Sequence, residues 1–219
     1  MDNPLARAFV RHGRNSRGIR GLGCGAAICA ALLIVCAGCS RLKPVDTSPL
    51  ETSGMSYVAV KQLETLRISG SEVSEVAKAR QGGFADVDCV EIVRIYRNRN
   101  RPFDAGDAVA GLAQVGVSDA DILELASIDQ LGLGWGELQA MKLAGMSDAI
   151  VMEEARQRAR GKSVLSGATL AKLKNAGVRQ STLLQLVQRA VPESQARAIL
   201  AYRHRGASEV EILRHFRGS

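Results

Sequence analysis

The stretch DAVAGLAQVGVSDADILELA, residues 107–126, decides the fold of this 219-residue chain. Apolar residues stand seven and four positions before Gly116, and one, six, seven and ten positions after it. Offsets of three, four and seven residues place side chains on one face of a helix. Glycine readily adopts the positive φ that ends many helices, and Ser118 is a preferred residue for capping the helix that follows. The stretch therefore predicts two short amphipathic helices joined by a tight turn.

The same pattern occurs five times along the chain. Its central glycines are separated by 33, 29, 32 and 29 residues: Gly83, Gly116, Gly145, Gly177 and Gly206. All six apolar positions are apolar in every copy. A hairpin of about thirty residues cannot bury its apolar stripe alone, so successive hairpins must pack on one another. The predicted fold class is all-α, with about five short helix-Gly-helix hairpins in a small repeat array or a compact bundle.

Two further positions complete the pattern. Three residues before the glycine, four of the five copies carry Lys or Arg, which predicts a column of side chains that faces water. Ser118, Ser147 and Ser208 stand two residues after their glycines and are suited to cap the second helices. An extra helix around residues 57–68 is predicted to cover the first hairpin.

The first forty residues have the charge order of an export signal. Five Arg residues lie within residues 1–20, and residues 21–40 carry no charge. The strongly apolar part, residues 26–37, is too short to span about 30 Å of hydrocarbon as a helix. Residues 35–40 read VCAGCS and resemble the lipobox of bacterial lipoproteins.

This resemblance implies that Cys39 receives a diacylglyceryl group and becomes the first residue after cleavage. Ser40 rather than Asp follows the cysteine, which implies an outer-membrane location facing the periplasm. Residues 40–55 are rich in Pro, Ser and Thr. The predicted organisation is a signal peptide at 1–38, a lipid-anchored flexible tether at 39–55 and an all-helical repeat domain at 56–219. An uncleaved membrane anchor is the alternative.

Charge is unevenly distributed after the signal segment. Residues 40–152 hold 11 basic and 16 acidic side chains, whereas residues 153–219 hold 13 and 5. An anionic partner is one explanation, and an ordinary solvated surface is the other. Two basic clusters supply the candidate partner-binding residues: Arg94, Arg97, Arg99, Arg101, Arg156, Arg158, Arg160 and Lys162. Both clusters fall where second helices end, and cations there also stabilise the helix dipole.

The sequence predicts no catalytic residues, no cofactor and no metal site. It contains no Ser-His-Asp pattern and no phosphate-binding glycine loop, and no third ligand accompanies His204 and His215 at a recognisable spacing. Cys89 occupies the apolar position six residues after Gly83, which predicts a buried structural thiol.

These observations predict a lipid-anchored, non-enzymatic interaction protein of the cell envelope. Its hairpins would bind a protein or an envelope polymer. Residues 112–118, LAQVGVS, also resemble the turn of a DNA-binding helix-turn-helix. That resemblance implies nucleic-acid binding if the first forty residues are not an export signal. An envelope enzyme of unrecognised type is the remaining alternative.

Overall fold

The structure is a computed structural model that describes residues 44–132 and 134–217. The predicted signal peptide and Cys39 lie outside these residues. Within them the predicted all-α fold class is confirmed, because every regular element is a helix. None of these helices is both long enough and apolar enough to cross a bilayer.

Twelve α-helices are formed by the described residues. They are α1 (Ser48–Thr52), α2 (Tyr57–Thr65), α3 (Gly70–Gln81), α4 (Asp86–Asn98), α5 (Gly106–Gln114), α6 (Asp119–Ser127), α7 (Trp135–Leu143), α8 (Asp148–Ala159), α9 (Gly167–Asn175), α10 (Gln180–Gln188), α11 (Ala196–His204) and α12 (Glu209–His215). A single 3-10 turn, Glu193–Gln195, precedes α11.

The helices pair in chain order into six hairpins, here called units 1 to 6. The first helix of each unit packs against the first helices of the neighbouring units, and the second helices pack in the same way. All substantial helix contacts among the described residues lie within a unit or between consecutive units. Residues 45–217 therefore form a sequential two-layer array, in which the apolar stripe of one hairpin is covered by the next.

The central glycines take the predicted conformation. Gly83, Gly116, Gly145, Gly177 and Gly206 all have positive φ, between 74° and 103°. The columns seven before and six and ten after these glycines are buried in every copy. Ser118 and Ser208 cap their second helices by accepting hydrogen bonds from Asp121 and Glu211 backbone N–H groups. The prediction is wrong for Ser147, because its side chain accepts no capping hydrogen bond. Periodicity thus identified the repeat and its turns correctly.

The array begins earlier than residue 56. Helix α1 lies inside the segment predicted as a tether, Leu50 is fully buried, and Gly54 has a φ of +80° like the other turn glycines. The predicted extra helix is α2, the second helix of unit 1, and unit 1 is a hairpin in addition to the five that the pattern predicted. Unit 1 departs from the pattern because Thr47, Lys61 and Glu64 occupy three of its six apolar positions. Among the described residues no hairpin precedes unit 1, so those positions need not be apolar to cover one.

Candidate partner-binding surface

The first predicted basic cluster lies at the end of α4, where Arg99 and Arg101 bind the following unit and the other two arginines bind acidic residues of their own unit. Arg97 forms an ion pair of 2.6 Å with the buried Glu72 of the first helix of the same unit. Arg99 donates to the carbonyl of Ala126, 2.6 Å away, at the end of α6. Arg101 pairs with Asp129 at 3.1 Å, and Arg94 pairs with Glu91 one turn earlier. These side chains mainly connect elements of the array.

The second predicted cluster lies at the end of α8. Arg156 binds both carboxylate oxygens of Glu124 in unit 3, at 2.6 and 2.8 Å. Arg158 forms ion pairs with Glu154 and with Glu137. Arg160 and Lys162 have no ion pair with any described residue. Six of the eight predicted residues are therefore held within the chain, and a partner-binding role for Arg160 and Lys162 stays a prediction.

The charged column three residues before each turn glycine does not face water as predicted. Lys174 donates to the carbonyls of Ala144 and Gly145 at 2.6 and 3.1 Å, and these carbonyls belong to the turn of the preceding unit. Arg203 binds the carbonyl of Gly177 at 2.9 Å in the same way. These turn carbonyls are unpaired at the end of a helix, so a cation from the next unit satisfies them.

A second set of bonds joins the starts of neighbouring second helices. The backbone N–H two residues after the turn glycine donates to the side chain three residues after the next glycine. Four such bonds of 2.8–3.3 Å occur: Ser56 to Asp86, Ala85 to Asp119, Ser147 to Gln180 and Arg179 to Glu209. An acceptor at a helix N-terminus satisfies an otherwise free donor and favours the dipole. The acidic residues of these helix starts are thus used within the array.

The cations without an acidic partner are concentrated in units 5 and 6. Residues 163–217 hold nine Lys and Arg residues and three Glu residues. Of those nine cations, only Arg203 forms an ion pair with a described residue, Glu209, at 3.9 Å. This part of the array therefore carries positive charge that the described residues leave unneutralised.

A shallow groove of about 660 Å³ lies along α12 and the end of α10. Its described lining residues are Arg189, Val210, Leu213, Arg214 and Arg217. None of them is acidic. Val210 is 64% exposed, and Val58 and Val87, which hold the same position in units 1 and 2, are similarly exposed. The groove combines three guanidinium groups with an apolar floor and is the strongest candidate for a partner-binding site.

The other side of α12 carries an aromatic cluster. The rings of Tyr202 and His215 stack with centroids 4.6 Å apart, and the guanidinium of Arg205 lies 4.9 Å from the Tyr202 ring centroid. Arg214 also borders the adjoining depression of about 500 Å³. The stacking holds α12 against α11.

Sequence reasoning did not find this groove, although a signal for it exists. The residues eight positions after the turn glycines are Glu91, Glu124 and Glu153 in units 2 to 4, but Arg214 in unit 6. That reversal of charge becomes meaningful only in the structure, where Glu124 of this column binds Arg156 of the following unit.

The sequence raises two further kinds of site, a reactive thiol at Cys89 and a metal site. Cys89 is buried as its column predicts, and burial raises the pKa of its thiol to about 12. A thiol with so high a pKa is a poor nucleophile at neutral pH. Among the described residues, no group of three His, Cys, Asp or Glu side chains is placed to hold a metal ion.

Comparison with protein-family models and with curated protein sequences finds no match to this chain.

Proposed function

We propose that this chain is an exported, lipid-anchored interaction protein of the cell envelope, and that its helical array is a binding scaffold and not an enzyme. The lipobox-like residues 35–40 support the anchor. The basic groove on unit 6 supports the binding role, and it is the observation that carries the proposal. In this proposal the array offers its C-terminal units to an anionic protein or envelope polymer.

The order of the chain fits this division of roles. Cys39 precedes α1 by nine residues, whereas the groove lies on the last hairpin, which is the sixth along the array. A diacylglyceryl group and an amide-linked acyl chain together give an effectively permanent attachment, since each buried methylene adds about 0.8 kcal/mol. An anchor before unit 1 leaves the groove of unit 6 free to meet a partner.

The first test concerns the anchor. We expect Cys39→Ser to abolish metabolic labelling with palmitate and to leave the leader uncut, because the lipid is attached through the thiol. Cys89→Ser is the matched control and should be labelled normally, since Cys89 is buried in the array. Normal labelling and cleavage of the Cys39→Ser protein would contradict the proposed anchor.

The second test concerns the partner. The full chain carrying Arg189→Gln, Arg214→Gln and Arg217→Gln should recover less envelope material in a cross-linked pull-down than the unchanged chain. Salt should weaken the unchanged interaction, because the Debye length falls from about 10 Å at 0.1 M to about 3 Å at 1 M. If the unchanged chain instead binds duplex DNA through these three arginines and recovers no envelope partner, the nucleic-acid alternative is favoured.

A further inference from the structure

We propose that the groove on unit 6 binds an amphipathic helix of a partner protein, with carboxylates on the partner helix contacting Arg214 and Arg217. This inference rests on the proposed binding function and specifies the chemistry of the partner. It follows from what covers the equivalent surface elsewhere in the array.

In the interior units, the outward side of each second helix is covered by another helix. The second helix of unit 4 packs on that of unit 5, and the second helix of unit 5 packs on α12. Among the described residues no further helix follows α12. The position of Arg214 on α12 is therefore one that the next helix contacts in unit 3, where Glu124 binds Arg156 of α8. The position of Val210, in contrast, is exposed in units 1 and 2 as well, at Val58 and Val87.

The charges of the groove indicate the sign of that helix. In unit 3 the carboxylate of Glu124, eight residues after its turn glycine, points to the next unit and binds the guanidinium of Arg156. In unit 6 the same position holds Arg214. Because the charge at this position is reversed in unit 6, a helix that covers it should carry carboxylates, which pair bidentately with guanidinium groups.

The apolar part of the groove indicates that the helix is amphipathic. Val210 is 64% exposed and Leu213 is half-buried, and both line the groove together with Arg214 and Arg217. The guanidinium of Arg189 donates to the carbonyl of Leu213, which fixes the wall formed by the end of α10. Apolar residues flanked by charge match a helix with aliphatic residues on one face and acidic residues beside them.

A second copy of this chain does not supply the interactions that join the interior units. The N–H of Ser208 is already bound by Glu211 of its own helix, 2.7 Å away, in a capping box. Three residues before its turn glycine, unit 1 has Glu51, where most other units have the Lys or Arg that binds a turn carbonyl. Three residues after that glycine it has Tyr57, where most other units have the side chain that accepts a backbone hydrogen bond. A carboxylate accepts hydrogen bonds, so Glu51 does not replace the Lys or Arg that donates to a turn carbonyl. The partner is therefore a separate acidic helix.

The experiment measures binding of a fluorescent synthetic helical peptide to the purified full-length protein by anisotropy. The peptide carries Leu on one face and Glu beside it, and a second peptide has Gln in place of every Glu. We expect the Glu peptide to bind and the Gln peptide to bind at least tenfold more weakly, a factor that corresponds to about 1.4 kcal/mol.

Three variants test the site itself. Arg214→Gln should weaken the Glu peptide about threefold to tenfold, whereas Arg94→Gln should change it by less than about twofold, because Arg94 contacts only Glu91 on the surface of α4. Arg214→Glu should lose the Glu peptide and gain a peptide with Lys in place of Glu. A gain of that kind cannot result from misfolding.

The proposal is overturned if the Glu and Gln peptides bind equally, or if Arg214→Glu gains no affinity for the Lys peptide. It is also overturned if dextran sulfate binds through Arg214 while neither peptide binds, since the groove is then a general site for anionic polymers. In that last case the envelope pull-down would still depend on the same arginines, so the proposed function would survive the failure of the helix.

Discussion

At the scale of single residues, the most unusual group is the carboxylate of Glu154. It is fully buried in α8 and forms an ion pair with Arg158, which also contacts Glu137. Glu137 in turn accepts a hydrogen bond from the backbone N–H of Gly167 at the start of α9. Burial raises the pKa of Glu154 to about 7, and the nearby Arg158 offsets part of that rise.

This raised pKa predicts that stability falls as pH rises. Between the ordinary pKa of 4.5 and the folded pKa of about 7, the folded chain holds a proton at Glu154 that the unfolded chain has lost. The free energy of unfolding therefore falls progressively across this window, and the total loss above pH 7 is up to about 3 kcal/mol. Glu154→Gln should flatten the dependence of the unfolding free energy on pH between about pH 5 and pH 8, as measured by urea denaturation.

Glu124 provides a control of opposite sign. The hydrogen-bonded Arg156 lowers the pKa of Glu124. The contribution of Glu124 to the free energy of unfolding is therefore present above its ordinary pKa and is lost as pH falls through its folded pKa. Glu124→Gln should reduce stability at neutral pH without flattening the fall between pH 5 and pH 8. If both variants leave the same pH dependence as the unchanged chain, Glu154 is not the group responsible.

At the scale of elements, glycines set how closely neighbouring first helices approach. Gly106 begins α5, and its N–H donates to Glu75 of α3 at 2.8 Å. A Cβ at Gly106 would overlap the backbone carbonyl of Glu75, with 2.8 Å to its carbon atom. Backbone cannot move aside as a flexible side chain can, so only glycine fits this contact.

Substitution of two helical glycines tests this contact. Gly106→Ala should destabilise the array by about 1–3 kcal/mol, because α3 and α5 would have to separate. Gly136 lies in α7 with open space around the position of a Cβ, so Gly136→Ala should be neutral or stabilise by up to about 1 kcal/mol. Urea denaturation of both variants gives the comparison. Equal effects would mean that helix propensity alone governs both sites.

The elements also show which features the sequence predicted. The five hairpins were predictable because apolar columns and turn glycines recur at fixed offsets. Unit 1 was missed because Thr47, Lys61 and Glu64 interrupt three of the six apolar columns. The clamping roles of Lys174 and Arg203 were not predictable, because their acceptors are backbone carbonyls and leave no mark in the sequence.

The candidate site was harder to predict than the fold for a related reason. A run of basic residues such as Arg156 and Arg158 is conspicuous in the sequence, yet each of these two arginines has a carboxylate partner in another helix, Glu124 or Glu137. Arg189 and Arg214 are far apart in sequence and meet at the groove only because α10 and α12 pack together. Which cations are free is therefore a property of the packed array and not of local charge density.

At the scale of the whole array, each unit contacts only its neighbours, so stability need not be uniform along it. Within residues 44–132 and 134–217, unit 6 contacts a neighbouring unit on one side only, and Ile212 is the one fully buried residue of α12. Its contacts with unit 5 include the Arg203 bonds to the carbonyls of Ala176 and Gly177. The last hairpin is therefore expected to open at a lower free energy than the interior units.

Hydrogen exchange on the full chain tests this expectation. Peptides from residues 196–217 should exchange before those from residues 106–127, and Arg203→Met should accelerate exchange in unit 6 while leaving units 2 and 3 unchanged. Loss of the Arg203 donors leaves two turn carbonyls of unit 5 without their partner, so the interface between units 5 and 6 weakens locally.

Arg197→Met is the matched control, since Arg197 is exposed on the same helix and makes no side-chain hydrogen bond to a described residue. Equal acceleration of all units by Arg203→Met would show that the array unfolds as one cooperative body, and equal effects of the two variants would show that the bonds to the turn carbonyls do not hold unit 6 in place.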